Sequence, residues 1–166
     1  MPVLRILMVC MGNICRSPTA EAVLRRKLRE RGLDGQVHVD SAGTHGWHAG
    51  APPDARSQVH ASRRGYDLSE LRARSLVAVD FDRFDLVLVM DDENLAHARE
   101  LCPPAAWPRI RRLMSYAAAG APLEVPDPYA GGADGFERVL DLIEQACDGL
   151  LAELHAPPER SGNFMG

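Results

Sequence analysis

The sequence predicts a single-domain α/β fold, in which strands and helices alternate around a parallel sheet covered on both faces. Three observations carry this. Short apolar runs with β-branched members at 3–9 and 85–90 read as buried strands. Segments with helical spacing of apolar residues lie between and after the strands, and such alternation implies a parallel sheet. The chain has 166 residues, 46% hydrophobic and 25% charged, which suits one soluble core of ordinary size. No internal repeat or linker divides it, so one domain over 1–155 and a tail over 156–166 are expected.

Residues 3–9, VLRILMV, form the first strand. Residues 18–31 read as a helix: Ala20, Val23, Leu24 and Leu28 fall at helical spacing, Pro18 suits a first helical position and Gly32 can close the end. Its basic residues Arg25, Arg26, Lys27 and Arg29 are expected on a solvated face. A second strand is placed at 36–41, where Val37 and Val39 alternate with polar residues, and 42–52, rich in Gly, Ala, Pro and His, reads as a loop. A helix follows at about 53–64, stopped by Gly65. Residues 85–90, DLVLVM, make the third strand, after which Asp91 or Asp92 can cap a helix through Leu101, ended by Pro103-Pro104. A short fourth strand is placed at 110–113.

Residues 117–133, AAAGAPLEVPDPYAGGA, show little sign of regular structure, and long loops in compact domains are usually functional or mobile. In the last helix Phe136, Val139, Leu140, Ile143, Ala146, Cys147, Leu150, Leu151 and Leu154 make one apolar stripe, and Asp134 with Glu137 resembles a capping box. The tail after His155 has no periodicity and is expected to be frayed or disordered.

Bulk properties exclude several function classes. The net charge of -4 at pH 7 argues against a general nucleic-acid binder or a binder of anionic membranes. No apolar stretch approaches the ~18 residues of a membrane span, and the N-terminus lacks a signal-peptide cleavage site. Four cysteines are too sparse for a disulfide scaffold and none pair as CxxC zinc ligands, so a reducing cytoplasm with free thiols is expected.

The segment joining the first strand to the first helix, CMGNICRS from Cys10 to Ser17, carries the chemistry. In open α/β sheets ligands bind beyond the carboxyl ends of the strands, and the backbone N–H groups of such a turn, with the helix N-terminus, form an anion site. Gly12 permits a positive φ, Asn13 tolerates the left-handed region, and nothing in the turn is acidic. A thiol at its start is driven toward thiolate by amide dipoles and a nearby guanidinium. Arg16 offers a planar fork for two phosphate oxygens, and Ser17 can donate a hydrogen bond to the sulfur. Together these describe a nucleophile for a phosphoryl group. A Walker-type nucleotide loop is excluded, since no GK[ST] follows.

CMGNICRSPTAE resembles the signature of the low-molecular-weight protein tyrosine phosphatases. The likeness continues in Asp40-Ser41-Ala42-Gly43-Thr44, Gly65 with Ala73-Arg74, Met90-Asp91 and Asp127-Pro128-Tyr129, over residues 4–154 in the right order. The resemblance implies a cofactor-free, metal-free enzyme on a four-stranded parallel sheet flanked by helices. It implies Cys10 as nucleophile and Arg16 with the amides of Met11, Gly12, Asn13, Ile14, Cys15 and Ser17 as the phosphate cradle. Asp127 would be general acid and base, Asn13 and Ser41 loop braces, and Trp47 and Tyr129 aromatic walls for the substrate ring. Cys15 matches the second loop cysteine, able to close a reversible disulfide with Cys10. The implied partner is a phosphotyrosine protein, a bacterial tyrosine kinase among the candidates, and the product inorganic phosphate. The residues around Asp127 agree: between Pro126 and Pro128 it sits in stiff, extended chain.

Two departures stand out. Many members carry a histidine supporting the Asn13 position where this chain reads Ser69-Glu70-Leu71-Arg72, so a less rigid loop is expected. Ala130 follows Tyr129 where some members have a second tyrosine. Three alternatives stay open. Arsenate reduction needs a thiol relay, and Cys102 and Cys147 are isolated. Arginine phosphatases usually carry Thr at the position of Ile14. A non-catalytic phosphotyrosine-binding module should lack Cys10 or Asp127.

Overall fold

The computed structural model describes residues 3–129 and 131–154; Ala130 and the expected tail lie outside the described residues. Four parallel strands, β1 (Leu4–Cys10), β2 (Val37–Gly43), β3 (Leu86–Val89) and β4 (Ile110–Arg112), form one sheet in the order β2-β1-β3-β4. Five helices flank it: α1 (Arg16–Glu30), α2 (Ala55–Arg63), α3 (Asp80–Arg83), α4 (Asp92–Glu100) and α5 (Ala133–Leu154). The sequence reading missed the one-turn α3 and two 3₁₀ segments, Pro104–Arg109 and Leu113–Tyr116, because such short pieces carry no usable periodicity.

Alternation along β1 explains the two-sided core. Ile6, Met8 and Cys10 face a cluster built with Ala20, Val23, Leu24 and Leu28 of α1 and Val139, Leu140, Ile143 and Leu150 of α5. Leu7 and Val9 face the other layer, with Phe81, Phe84, Val87, Val89, Ala98 and Ile110. Both faces are dry, so the strands read as continuous apolar runs. Each fully buried aliphatic side chain contributes about 1.5–3 kcal/mol.

Several boundaries move in ways that matter for the site. β1 runs through Cys10 and α1 begins at Arg16, two residues before the expected start. Pro18 is therefore the third helical residue, where its missing N–H is still one of the helix's unpaired first donors. β2 runs through Gly43, because 43 pairs with Cys10 and bridges to Ser75 beyond the edge. The basic residues of α1 are not simply solvated. Arg25 pairs with Glu21 at 2.6 Å and donates to Val39 O at 2.8 Å, Arg26 donates to Arg64 O at 2.9 Å, and Lys27 pairs with Asp148 at 2.8 Å. The expected capping box of the last helix is absent. Helix α5 already includes Asp134, and the Glu137 carboxylate pairs with His60 and Arg64 of the α2 region instead. No helix of the described residues is long and apolar enough to cross a membrane.

Candidate active site

The carboxyl end of β1 delivers Cys10 to the floor of a cavity of about 170 Å³ lined also by Met11, Gly12, Ile14, Cys15, Arg16, Trp47, His48, Asp127 and Tyr129. A larger hollow of about 560 Å³, lined by Arg5, Arg25, Arg29 and His38 among others, lies at the opposite end of the sheet and holds none of these groups. Ser17 Oγ lies 3.0 Å from Cys10 Sγ, and the Asn13 N–H donates to the same sulfur at 3.3 Å. The turn thus curls back over the sulfur, with the Asn13 amide directed at it. The left-handed residue is Asn13, with φ 59°; Gly12 does not take the positive φ expected of it. Its lack of a side chain serves close approach instead, since a Cβ there would meet the His48 ring at 3.0 Å.

Asn13 holds the turn from beneath. Its Nδ2 donates to Ser17 Oγ at 2.7 Å and to Ser41 Oγ at 3.0 Å, and its Oδ1 accepts the Arg74 N–H at 3.0 Å. Ser41 in turn donates to Glu21 at 2.6 Å. Burial raises the Glu21 carboxyl pKa, with the Ser41 hydroxyl and Arg25 opposing. Three partners hold this one amide. The backbone N–H of Arg74 braces Asn13, and the Arg74 side chain is itself held by Asp40 and Asp80 at 3.1 Å each.

Arg16 is only 1% exposed. Its Nη1 donates to Asp91 Oδ2 at 2.6 Å and to Val125 O at 3.0 Å, and its Nη2 lies 3.8 Å from Asp127 Oδ2. Burial lowers its pKa, but Cys10 and Asp91 outweigh burial and raise it. The turn itself holds no acid, yet α4 and the 117–132 loop bring two carboxylates to its guanidinium. The sequence marks Asp91 as a helix cap and as part of the family likeness, without a role at Arg16. Asp91 is the cap, accepting the Asn94 N–H at 2.8 Å through Oδ1, while Oδ2 orients Arg16.

Over the cavity stand Asp127, Tyr129 and Trp47. Asp127 Oδ1 accepts the Tyr129 N–H at 3.0 Å. Trp47 is 70% exposed and stacks on His45 at 4.3 Å, which makes it a rim residue rather than a buried anchor. His48, which sequence reasoning missed, lies between Gly12 and Tyr129, its ring 6.4 Å from the Tyr129 ring. Cys15 is buried against Ile14, Ala73 and Phe136, and burial pushes its thiol up to about 12. Cys147 is core, and Cys102, half-buried, reaches Ala98 O at 3.5 Å; neither lines the cavity.

Comparison with known proteins agrees with this geometry. Residues 5–159 match the family model described as low molecular weight phosphotyrosine protein phosphatase. The chain is 45% identical to the low molecular weight protein-tyrosine-phosphatase of Streptomyces coelicolor, covering 93% of this chain and 96% of that one. It is 38% identical to the crystal structure of YfkJ from Bacillus subtilis, with TM-score 0.88, covering 93% and 96%. The protein tyrosine phosphatase of Entamoeba histolytica, solved with Hepes in the active site, also gives TM-score 0.88 at 38% identity, covering 91% and 96%. With the match spanning nearly every described residue, the chain belongs to the low molecular weight phosphotyrosine protein phosphatase family.

Proposed function

We propose that this chain hydrolyses phosphotyrosine in proteins through a phosphocysteine intermediate. The carrying observation is the convergence at one cavity of a thiol, the Asn13 amide and Ser17 hydroxyl hydrogen-bonded to it, a buried guanidinium and a carboxylate. Cys10 Sγ attacks phosphorus in line as the bond to the phenolic oxygen breaks, and Asp127 gives that oxygen its proton. Arg16 and the backbone amides of the turn between Cys10 and Arg16 hold the equatorial oxygens as charge develops. Asp127 then takes a proton from water, whose oxygen attacks phosphorus and expels the sulfur. The Ser17 hydroxyl and the Asn13 N–H stabilise the departing thiolate, and inorganic phosphate leaves. Trp47 and Tyr129 flank the ring of the substrate. Ile14, an apolar lining residue, favours an aryl ester over phosphoarginine, and the positions of Cys102 and Cys147 away from the cavity disfavour a thiol relay for arsenate.

Rapid mixing with an aryl phosphate tests the scheme. A stoichiometric burst of phenol is expected, with Cys10→Ser inactive and Asp127→Ala slowed about 10²–10⁴-fold. Absence of a burst together with stoichiometric phosphotyrosine binding would instead favour a binding module. Trapping with Cys10→Ser, followed by mass spectrometry, identifies the protein partner, for which a bacterial tyrosine kinase is the candidate.

The reading also includes reversible oxidation. Cys10 and Cys15 are both free and buried. Peroxide would convert the Cys10 thiolate to a sulfenic acid, and Cys15 would displace its oxygen as water to form the disulfide. Under excess peroxide, dithiothreitol is then expected to restore activity in the native protein, whereas in Cys15→Ser a second peroxide carries the unprotected sulfenic acid to the sulfinic acid, which dithiothreitol does not reduce.

A further inference from the structure

Among the described residues, the loop carrying Asp127 has no regular structure over 117–129 and 131–132, yet it is pinned on both sides of the carboxylate. On the near side Val125 donates its N–H to Met90 O at 2.8 Å and accepts from Arg16 Nη1 at 3.0 Å. Glu124 accepts the Asp92 N–H at 2.8 Å. On the far side the pin is Arg56, in the first turn of α2. Its Nη2 donates to Tyr129 O at 2.7 Å and its Nη1 reaches Gly131 O at 3.5 Å. Its guanidinium lies 5.6 Å over the Tyr129 ring and 4.8 Å over the Phe136 ring. Asp54, the cap of α2, grips the same guanidinium through both oxygens at 3.2 Å.

We propose that Arg56 is a positioning residue for proton transfer by Asp127. The inference rests on Asp127 being the general acid. Arg56 restrains Tyr129 at two points, its carbonyl oxygen and the face of its ring, on the far side of the Cα from the N–H that Asp127 uses. The N–H of Tyr129 fixes Asp127 Oδ1, and Oδ2 is left 3.8 Å from Arg16 Nη2 on the wall of the cavity that Cys10 also lines. A planar fork suits this task, because it can serve two carbonyls while lying flat on aromatic rings; a lysine cannot. Asp54 links the pin to the phosphate loop itself, since its N–H donates to Ile14 O at 2.8 Å. Acid and nucleophile are thereby registered to one helix end.

The test compares kcat/KM for phenyl phosphate, whose leaving group needs a proton, with that for dinitrophenyl phosphate, whose leaving group does not. Arg56→Ala is expected to lose about ten-fold on the first and less than about two-fold on the second. Inhibition by inorganic phosphate, which reads the Cys10–Arg16 cup, is expected to stay within about two-fold. In an Asp127→Asn background Arg56→Ala should cost less than a further two-fold or so, because the two act through one group. An equal loss on both esters, no loss on phenyl phosphate, or additive losses in the double variant would overturn the assignment. If Asp127→Asn alone leaves the ratio of the two esters unchanged, Asp127 is not the acid and both readings fall together.

Discussion

Single atoms decide whether the phosphate cup exists. Gly43 lies under the turn, and a Cβ there would stand 2.8 Å from Met11 O and 3.1 Å from Asn13 N. Those are backbone atoms, so Gly43→Ala must shift the turn itself. Phosphate affinity and kcat/KM are expected to fall at least ten-fold, roughly 1.4 kcal/mol or more; inhibition titrations with phosphate check this. Asp91 is the second such residue. Removing one partner of a buried ion pair leaves an uncompensated charge at a cost of about 3–5 kcal/mol. Asp91→Ala is expected to destabilise at the low end of that range, since its side chain is 19% exposed, and to lose the cap of α4 as well. Asp91→Asn keeps an acceptor for the cap and is expected to lose less. Urea unfolding of the two variants separates charge from cap.

Among elements, β1 and α1 make the site by ending and starting where they do. A strand that stops at Cys10 and a helix that starts at Arg16 leave five residues to curl around one sulfur. The first nine residues of α1 are all buried, Glu21 and Arg16 among them, because this half of the helix lies beneath the turn. α5 is held to the sheet in a different way. A Cβ at Gly149 would stand 1.8 Å from Tyr116 O, so α5 rides directly on the 3₁₀ segment Leu113–Tyr116. Gly149→Ala is expected to push the helix off that segment and cost about 3 kcal/mol or more, despite the better helix propensity of alanine. Thermal unfolding that leaves Tm unchanged would contradict this contact.

For the whole molecule, burial sets the response to alkali. The thiols of Cys15 and Cys147 are pushed by burial from an ordinary 9.0 to about 12, and the Tyr66 hydroxyl is raised in the same direction, by burial first and then by Glu144. The unfolded chain gives up the thiol protons near pH 9, while the folded chain keeps them to about pH 12. The folded state therefore binds more protons in that window, and stability falls as pH rises through it. Tm is expected to be unaffected by these groups below pH 9 and to decline steadily above it; a flat Tm across the interval would refute the assignment. Acid acts through different groups. Glu137, paired with Arg64 and His60, and Asp54, where Arg56 outweighs partial burial, are both lowered, so their contribution is lost as pH falls below the ordinary carboxylate range.

The amino-acid sequence by itself determined the strands β1 and β3, the helix α5, and the nucleophile turn with its cysteine and arginine. Each is written in contiguous residues, as an apolar run, a helical stripe or a strand-to-helix junction, and local periodicity reports such elements directly. Tertiary structure alone decided what holds Arg16 and Asn13, and what steadies Asp127. Asp91 is 75 residues from Arg16, Arg74 is 61 from Asn13, and Arg56 is 73 from Tyr129. A charge that finds its partner only after the sheet has closed leaves no spacing for a sequence to display. Helix ends behaved the same way: Glu137 looked like a cap partner by spacing, and the approach of His60 and Arg64 across the α2–α5 contact offered its carboxylate stronger, charged donors.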